Sequence, residues 1–332
     1  MTLSASAPGK VMVAGEYAVL CGHPALVMAA NRRVQVHLEP AAEWMLSSDG
    51  GQPEAVRAAE LSPAADPPHS PVARAVWSCC TELGIRPAPL RIRIDSTELQ
   101  EAGAKLGLGS SAGVAVALAA ALAQHERYED VTLETYFRVH DRLQGTPGSG
   151  FDVAAALRGG WFEFCRVPGG AEIRVVPAPR VSLRFIWTGT VARTTGFVSR
   201  FRAWHDQAAD SEAIVGALGA AAAAAITAVK AGDDAGFIAA LKDNADHLSE
   251  LATAAGLPIF AGGHARLLAL GKQMGVAYKP CGAGGGDIGL AAAEDDSRLD
   301  AFAAAARNEG YPPLQLECDP YGVKVERQET GF

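Results

Sequence analysis

The feature that most constrains this chain is a run of small residues leading into an alanine-rich segment. The run reads Lys-Leu-Gly-Leu-Gly-Ser-Ser-Ala over residues 105–112, and Gly113–Ala123 directly after it is predicted to be a helix. Glycine lets the backbone approach a ligand closely, and the first amides of a helix lack acceptors within the helix. Such a turn is an anion site, most often for phosphate, because the positive end of the helix dipole lies there. A turn that only caps a buried helix is the open alternative.

The composition is that of a soluble globular protein. The chain has 332 residues, 49% of them hydrophobic and 20% charged, which suits one large or two ordinary domains. A net charge of −8 argues against a bulk nucleic-acid binder, and the six cysteines show no metal-ligand spacing, which predicts a reducing compartment. No leader or membrane span is predicted. We therefore expect a cytoplasmic monomer or homodimer without nucleic-acid or membrane partners.

Hydrophobic periodicity and turn residues predict strands and helices along the whole chain. In the first half we predict a strand over Ser4–Val13 interrupted at Pro8-Gly9, further strands over Ala25–Met28, Arg33–Leu38 and Leu90–Ile94, helices over Val72–Leu83 and Thr132–Leu143, and a hairpin over residues 161–176. Prolines 177 and 179 mark a domain boundary. The second half is predicted to be mostly helical, with long helices over Ser211–Ala231 and Asp234–Ala255.

Two further loops share the character of the first. Residues 145–152 read Gly-Thr-Pro-Gly-Ser-Gly-Phe-Asp, and residues 279–287 read Lys-Pro-Cys-Gly-Ala-Gly-Gly-Gly-Asp. Such a density of glycine costs conformational entropy, which predicts that something must approach the backbone, although a tight hairpin is the alternative for the last loop. Neither GxGxxG after a strand nor GxxxxGK[ST] is present, and the protein-kinase elements are absent, so these nucleotide sites are excluded.

The order of these motifs resembles that of the GHMP small-molecule kinases. The resemblance lies in residues 8–10 (Pro-Gly-Lys) with 15–19 (Gly-Glu-Tyr-Ala-Val), in 107–112 and in 282–287, and it spans nearly the whole chain. It implies an α+β, two-domain fold, with a ribosomal protein S5 domain 2-like N-terminal domain over residues 1–178 and a ferredoxin-like C-terminal domain over residues 179–332.

The details are most similar to the family members that act on phosphomevalonate. They are Lys105, Gln144-Gly145, Gly148–Ala155, Trp187–Gly189 and Lys279-Pro280. The resemblance implies transfer of the γ-phosphate of ATP, with Mg²⁺, to phosphomevalonate, giving diphosphomevalonate for isoprenoid synthesis. Mevalonate or another small alcohol is the alternative acceptor. A non-catalytic ligand sensor is disfavoured, because Asp152 and the serine pair are present.

The same resemblance, with the charge neutralisation that phosphoryl transfer needs, assigns the site residues. The catalytic residues are Asp152, which accepts or orients the acceptor's proton, and the cations Lys10 and Lys105. ATP is assigned to Gly107, Leu108, Gly109, Ser110, Ser111, Ala112, Gly282, Ala283, Gly284 and Gly285. The acceptor is assigned to Glu16, Tyr17, His23, Ser149, Gly150 and Arg193, and Mg²⁺ to Ser111 and Asp141. A solvated helix face is the alternative for Asp141, and His140 is expected to pack or to face solvent.

Overall fold

The computed structural model describes residues 2–192 and 194–328, which fold around two β-sheets. The strands are β1 (Thr2–Ala14), β2 (Ala25–Pro40), β3 (Trp44–Ser48), β4 (Glu54–Val56), β5 (Leu90–Asp95), β6 (Gln100–Glu101), β7 (Ala104–Lys105), β8 (Trp161–Val167), β9 (Gly170–Val175), β10 (Leu183–Trp187), β11 (Ala277–Pro280), β12 (Ile288–Ala292), β13 (Pro313–Leu314) and β14 (Lys324–Gln328). The helices are α1 (Pro71–Leu83), α2 (Ser110–Glu126), α3 (Leu133–Gln144), α4 (Phe151–Arg158), α5 (Thr194–His205), α6 (Ser211–Ala231), α7 (Asp234–Ala254), α8 (His264–Met274) and α9 (Asp296–Asn308).

The first sheet has the order β14-β1-β2-β5-β3-β4, with β8 and β9 attached to the start of β2. The antiparallel register of β1 and β2 shifts between Pro8 and Gly9, which confirms the predicted interruption. The two short strands predicted over residues 25–38 form one continuous strand instead. Its first residues pair with β8 and its last residues pair with β5. The polar residues 31–33 break the apolar pattern at the point where the strand paired with β2 changes from β8 to β5.

Helix α2 lies at the centre of the first domain and is buried along most of its length. Alanine favours the helix and leaves room for close packing on the sheet. A Cβ atom built on Gly113 would lie 2.7 Å from Val34 Cγ2, so only glycine lets this helix lie so close to β2. The packing fixes the start of α2, and with it the glycine loop that precedes the helix.

The second sheet is antiparallel and has the order β11-β12-β10-β13. Read from its other edge, its strands are the fourth, first, third and second in chain order, which is the ferredoxin-like arrangement. Helices α5 to α8 lie between its first two strands in sequence, and α9 packs on β10. This sheet confirms the α+β fold that the motifs imply.

The end of the described chain returns to the first sheet. Strand β14 pairs antiparallel with β1, and Arg33 forms an ion pair with Asp319 and donates to the Gly322 carbonyl oxygen over 2.8 Å. The chain therefore crosses between the two sheets twice. The division at residue 178 stays a prediction.

Helix α6 contains six consecutive alanines and was predicted to be a packed helix. By length and composition alone it could span a membrane, but 56% of its apolar window is buried inside the protein. Its side chains at Ile214, Val215 and Leu218 belong to a core cluster with Tyr17 and Phe201. Helix α6 is therefore a core helix of this fold.

Candidate active site

The first glycine loop ends at Gly109, which has a left-handed backbone (φ 80°) and is the N-cap of α2. A glycine has no side chain to cap the helix, and among the described residues no side chain accepts from the amides of its first turn. Leu108 and Ala112 are buried and anchor the loop, and the hydroxyl of Ser110 makes no hydrogen bond to a described residue. The loop therefore has the free donors that an anion site needs.

Lys10 lies directly against this loop. Its backbone amide donates to the Leu108 carbonyl oxygen over 2.8 Å, and its Nζ donates to the Gly107 carbonyl oxygen, also over 2.8 Å. The same ammonium lies 5.5 Å from the centre of the Phe151 ring, at the start of α4. A positive charge is thus held between the first and second loops.

The second loop ends in the same way as the first. Gly150 is the N-cap of α4, with φ 85°, and a glycine has no side chain to cap the helix; the Val153 amide of the first turn donates to Asp152 Oδ1 over 2.9 Å. Asp152 lies in the first turn of α4, and a Cβ atom built on Gly109 would lie 3.0 Å from Lys10 Cγ and 3.6 Å from Asp152 Cβ. Two helix starts with glycine at the N-cap, one cation and one carboxylate therefore meet at one point.

The third loop reaches the first through Asp287. A Cβ atom on Gly107 would overlap the Asp287 carboxylate. Asp287 accepts a hydrogen bond from the Ala192 amide over 3.0 Å, and burial raises the pKa of its carboxyl group. Its own backbone is left-handed (φ 60°), which is uncommon for a residue with a side chain. All three loops therefore converge, and Asp287 joins two of them without having been assigned a role.

Glu16 and Tyr17 lie below the third loop and are almost completely buried. The Tyr17 hydroxyl donates to the Ala283 carbonyl oxygen over 2.6 Å, and Glu16 forms an ion pair with the equally buried Lys279, just ahead of the loop. Burial raises the pKa of Tyr17. Both side chains hold the third loop in this structure, and their predicted contact with the acceptor stays a prediction.

His264 supports the other side of the third loop. Its Nε2 donates to the Gly286 carbonyl oxygen over 2.8 Å, and its Nδ1 accepts from the Tyr278 hydroxyl over 2.9 Å. This pairing fixes one neutral tautomer. Burial lowers the pKa of His264 to about 4.

Acidification should therefore weaken the fold through His264. The unfolded chain binds a proton near the ordinary histidine pKa and the folded chain does not, so stability is complete above that pKa and is lost as the pH falls towards 4. Between pH 7.5 and 5 we expect a loss of about 2 kcal/mol from this residue. Urea unfolding at both pH values measures it. In His264→Gln, the loss of unfolding free energy between pH 7.5 and 5 should be smaller by about 2 kcal/mol. In His69→Gln, which changes an exposed histidine, that loss should equal the loss in the wild type.

The hydroxyl of Ser111, at the end of the first loop, contacts two side chains of α3. Its Oγ lies 3.1 Å from Nε2 of His140 and accepts from the Gln144 amide over 3.1 Å. His140 Nε2 lies 3.9 Å from Asp152 Oδ2, and the ring is only 2% exposed. Of the two alternatives expected for His140, the structure shows the packed one, and it adds a contact with Ser111 that was not expected. The signal in the sequence was the spacing of His140 and Gln144, which are four residues apart and share one face of α3.

The other predicted residues lie in different surroundings. Asp141 accepts from the Gly148 amide over 2.9 Å, which holds the second loop. Lys105 pairs with Gln100 through its backbone, and its exposed side chain makes no hydrogen bond or ion pair to a described residue. His23 packs on Gly219 of α6. Gly150 packs against Phe137, with the partly exposed Ser149 before it. Gly282, Gly284 and Gly285 lie in the third loop, and Arg193 lies outside the described residues. Among the described residues, no group of three His, Cys, Asp or Glu side chains could hold a metal ion.

Two cavities bear on where a ligand could lie. One of about 600 Å³ is lined by residues of α9 and β13, and the loop residues described above do not line it. Another of about 420 Å³ opens beside the second loop and is lined by Pro67, Trp77, Asp141 and Gly145, among others. This second cavity borders the second loop through Gly145 and through Asp141, which holds that loop, and the larger one does not.

A family model and two related proteins place this chain in the same family. Residues 70–160 match the family described as GHMP kinases N terminal domain. A phosphomevalonate kinase from Streptomyces sp. (strain CL190) is 30% identical over 96% of this chain and 97% of its own. A mevalonate kinase from Methanothermobacter thermautotrophicus is 28% identical over 62% of this chain and 65% of its own.

The fold agrees with these sequence matches. The Streptococcus pneumoniae phosphomevalonate kinase in complex with phosphomevalonate and AMPPNP superposes with a TM-score of 0.78, covering 95% of this chain and 99% of that one, at 20% identity. The identity to the Streptomyces enzyme extends over nearly the whole of both chains, and the three loops converge as the motif order implies. This chain belongs to the GHMP kinase family.

Proposed function

We propose that this protein transfers the γ-phosphate of ATP to phosphomevalonate. The observation that carries the proposal is the meeting of two helix starts that have glycine at the N-cap, with Lys10 and Asp152 between them. The match to the Streptomyces phosphomevalonate kinase supports the choice of acceptor. We expect the protein to act in the cytoplasm on small molecules, without nucleic-acid or membrane partners, as a monomer or homodimer.

In the proposed reaction, each group acts on charge or position. The amides of the first loop bind the β- and γ-phosphates, and Lys10 offsets the negative charge that spreads over the transferring group. An oxygen of the acceptor phosphate attacks the γ-phosphorus. The bond between the γ-phosphorus and the β,γ-bridging oxygen breaks, and that oxygen leaves with ADP. Asp152 orients that acceptor and takes its proton where one is present. Lys105, exposed beside the loop, is proposed as a second cation.

The residues beside the first loop suit Mg²⁺, which prefers hard oxygen ligands. Ser111 offers a hydroxyl, and the Asp152 carboxylate near it is partly exposed, at 19%. Bound Mg²⁺ would neutralise charge on the β- and γ-phosphates. Asp141 stays a proposed ligand, although one of its oxygens already accepts from Gly148.

The 420 Å³ cavity beside the second loop is proposed to receive the base of ATP. It borders the second loop, and its lining includes Arg142, whose guanidinium carbon lies 5.2 Å from the centre of the Trp77 ring. A planar base can stack on a guanidinium group.

A panel assay tests the acceptor. ADP release is measured with phosphomevalonate, mevalonate and homoserine, and we expect kcat/KM to be highest for phosphomevalonate. The match to a mevalonate kinase over 62% of the chain keeps mevalonate as the second candidate. A higher kcat/KM for mevalonate would overturn the proposed acceptor but keep the kinase, whereas no ADP release with any acceptor would overturn both.

Arg193 is proposed to bind the phosphate that the acceptor already carries. Arg193→Ala should raise KM for phosphomevalonate at least about tenfold, since a charge-assisted hydrogen bond contributes about 1.5–3 kcal/mol. KM for ATP should change less than about twofold and serves as the internal control. Equal changes in both KM values would remove Arg193 from the acceptor site.

A further inference from the structure

The contacts around Ser111 define the hydrogen-bonding role of His140 Nε2. The amide nitrogen of Gln144 lies 2.8 Å from His140 Nε2 and 3.1 Å from Ser111 Oγ. An amide NH₂ group only donates, so His140 Nε2 must accept. The Ser111 hydroxyl, 3.1 Å from the same nitrogen, is then the donor of that contact and shares the single lone pair of Nε2 with the Gln144 amide. This geometry corresponds to the tautomer with its proton on Nδ1.

This arrangement determines where the lone pairs of Ser111 point. The hydroxyl hydrogen is directed to His140, and one lone pair accepts from Gln144. One lone pair remains. A hydroxyl oxygen binds a cation through a lone pair, so fixing the hydrogen on the side of His140 leaves the oxygen open to a ligand.

The same arrangement leaves Oδ2 of Asp152 without a hydrogen bond from His140. His140 Nε2 lies 3.9 Å from Asp152 Oδ2, which is beyond hydrogen-bond range, and this nitrogen carries no proton to share. The other oxygen, Oδ1, accepts from the Val153 amide over 2.9 Å.

We propose that His140 is a positioning residue that orients the Ser111 hydroxyl towards the divalent cation of the bound nucleotide, with Gln144 fixing the tautomer. The inference rests on the proposed use of ATP with a metal ion but not on the acceptor. Groups that orient a metal ligand in this way commonly change metal affinity about 10–100-fold when they are removed.

Binding of AMPPNP with and without Mn²⁺, measured by calorimetry, tests the inference. We expect Mn²⁺ to tighten AMPPNP binding to the wild type and His140→Phe, which keeps the ring volume, to reduce that gain at least tenfold. Metal-free AMPPNP should bind both proteins within about threefold. His37→Phe is the matched control, because His37 Nδ1 forms a similar contact with Ser4 Oγ at 3.1 Å; it should keep the full gain.

A double-mutant cycle separates positioning from packing. If His140 acts through Ser111, Ser111→Ala/His140→Phe should lose no more of the Mn²⁺ gain than Ser111→Ala alone. Imidazole ¹⁵N NMR of the wild type needs no stable variant and should show the Nδ1–H tautomer for His140.

Some results would overturn only the role of His140, and one would also overturn the proposed use of ATP. A full Mn²⁺ gain in His140→Phe, additive losses in the cycle, or an Nε2–H tautomer would overturn the role of His140 and leave the proposed kinase reaction intact. A wild type that binds AMPPNP but gains nothing from Mn²⁺ would also overturn it. A wild type that binds no AMPPNP would overturn the inference together with the use of ATP.

Discussion

Asp152→Asn is expected to lower kcat about 10²- to 10⁴-fold, the usual contribution of a positioned acid or base. Asparagine keeps the shape of the side chain but cannot accept a proton, so the loss falls on the transition state. The first-turn amides of α2 and the Lys10 contacts with the loop remain, and AMPPNP affinity should change less than about threefold.

The control and the contrary outcome are simple to measure. Asp246→Asn changes an exposed carboxylate paired with Lys272 at the surface and should keep the wild-type kcat. If Asp152→Asn turned over as fast as the wild type, Asp152 would have no catalytic role. If it lost AMPPNP binding instead, its role would lie in the nucleotide site.

Lys279→Met should destabilise the protein by about 3–5 kcal/mol, the usual cost of leaving a buried charge without its partner. Lys279 and Glu16 are buried together and paired through Oε1 of Glu16, and Oε2 of Glu16 has no hydrogen-bond partner among the described residues. The double variant Lys279→Met/Glu16→Met should recover most of the loss, because two apolar side chains replace the pair. Denaturant unfolding measures all three proteins.

The surface pair Lys272–Asp246 provides the matched control. Both of its side chains are more than half exposed, so Lys272→Met should cost less than about 1 kcal/mol. A loss this small in Lys279→Met would contradict the importance of the buried pair. The double variant also tests the role of Glu16. A raised KM for the acceptor in a stable double variant would favour acceptor binding, and an unchanged KM would favour support of the third loop alone.

The glycine loops were predictable from the sequence because their density of small residues is a local signal. Residues 107–112, Asp152 and Lys10 meet as the motif order implies. The helices were also close to their predicted bounds, since Ser211–Ala231 carries a helical apolar pattern over its whole length. Near neighbours in the chain determine the loops and the helix bounds, whereas the meeting of the loops was implied only by the resemblance to a known family.

Features that depend on distant contacts were not predictable. Asp141 was proposed as a metal ligand from its distance along the chain to Asp152, but the loop between them does not determine which face of α3 points to Ser111. His140 and Gln144 share that face, and Asp141 contacts Gly148. The burial of Glu16 beside Lys279 likewise joins residues from opposite parts of the chain. Short patterns contain no information on either point.

The pairing of β14 with β1 affects the order in which this protein can form during synthesis. Thr2–Ser6 are synthesised more than 300 residues before their outer partners, residues 324–328. Until then, the outer edge of β1 presents unpaired backbone groups, which are a template for association with other chains. The nascent first half therefore exposes this edge of β1 until β14 has been synthesised.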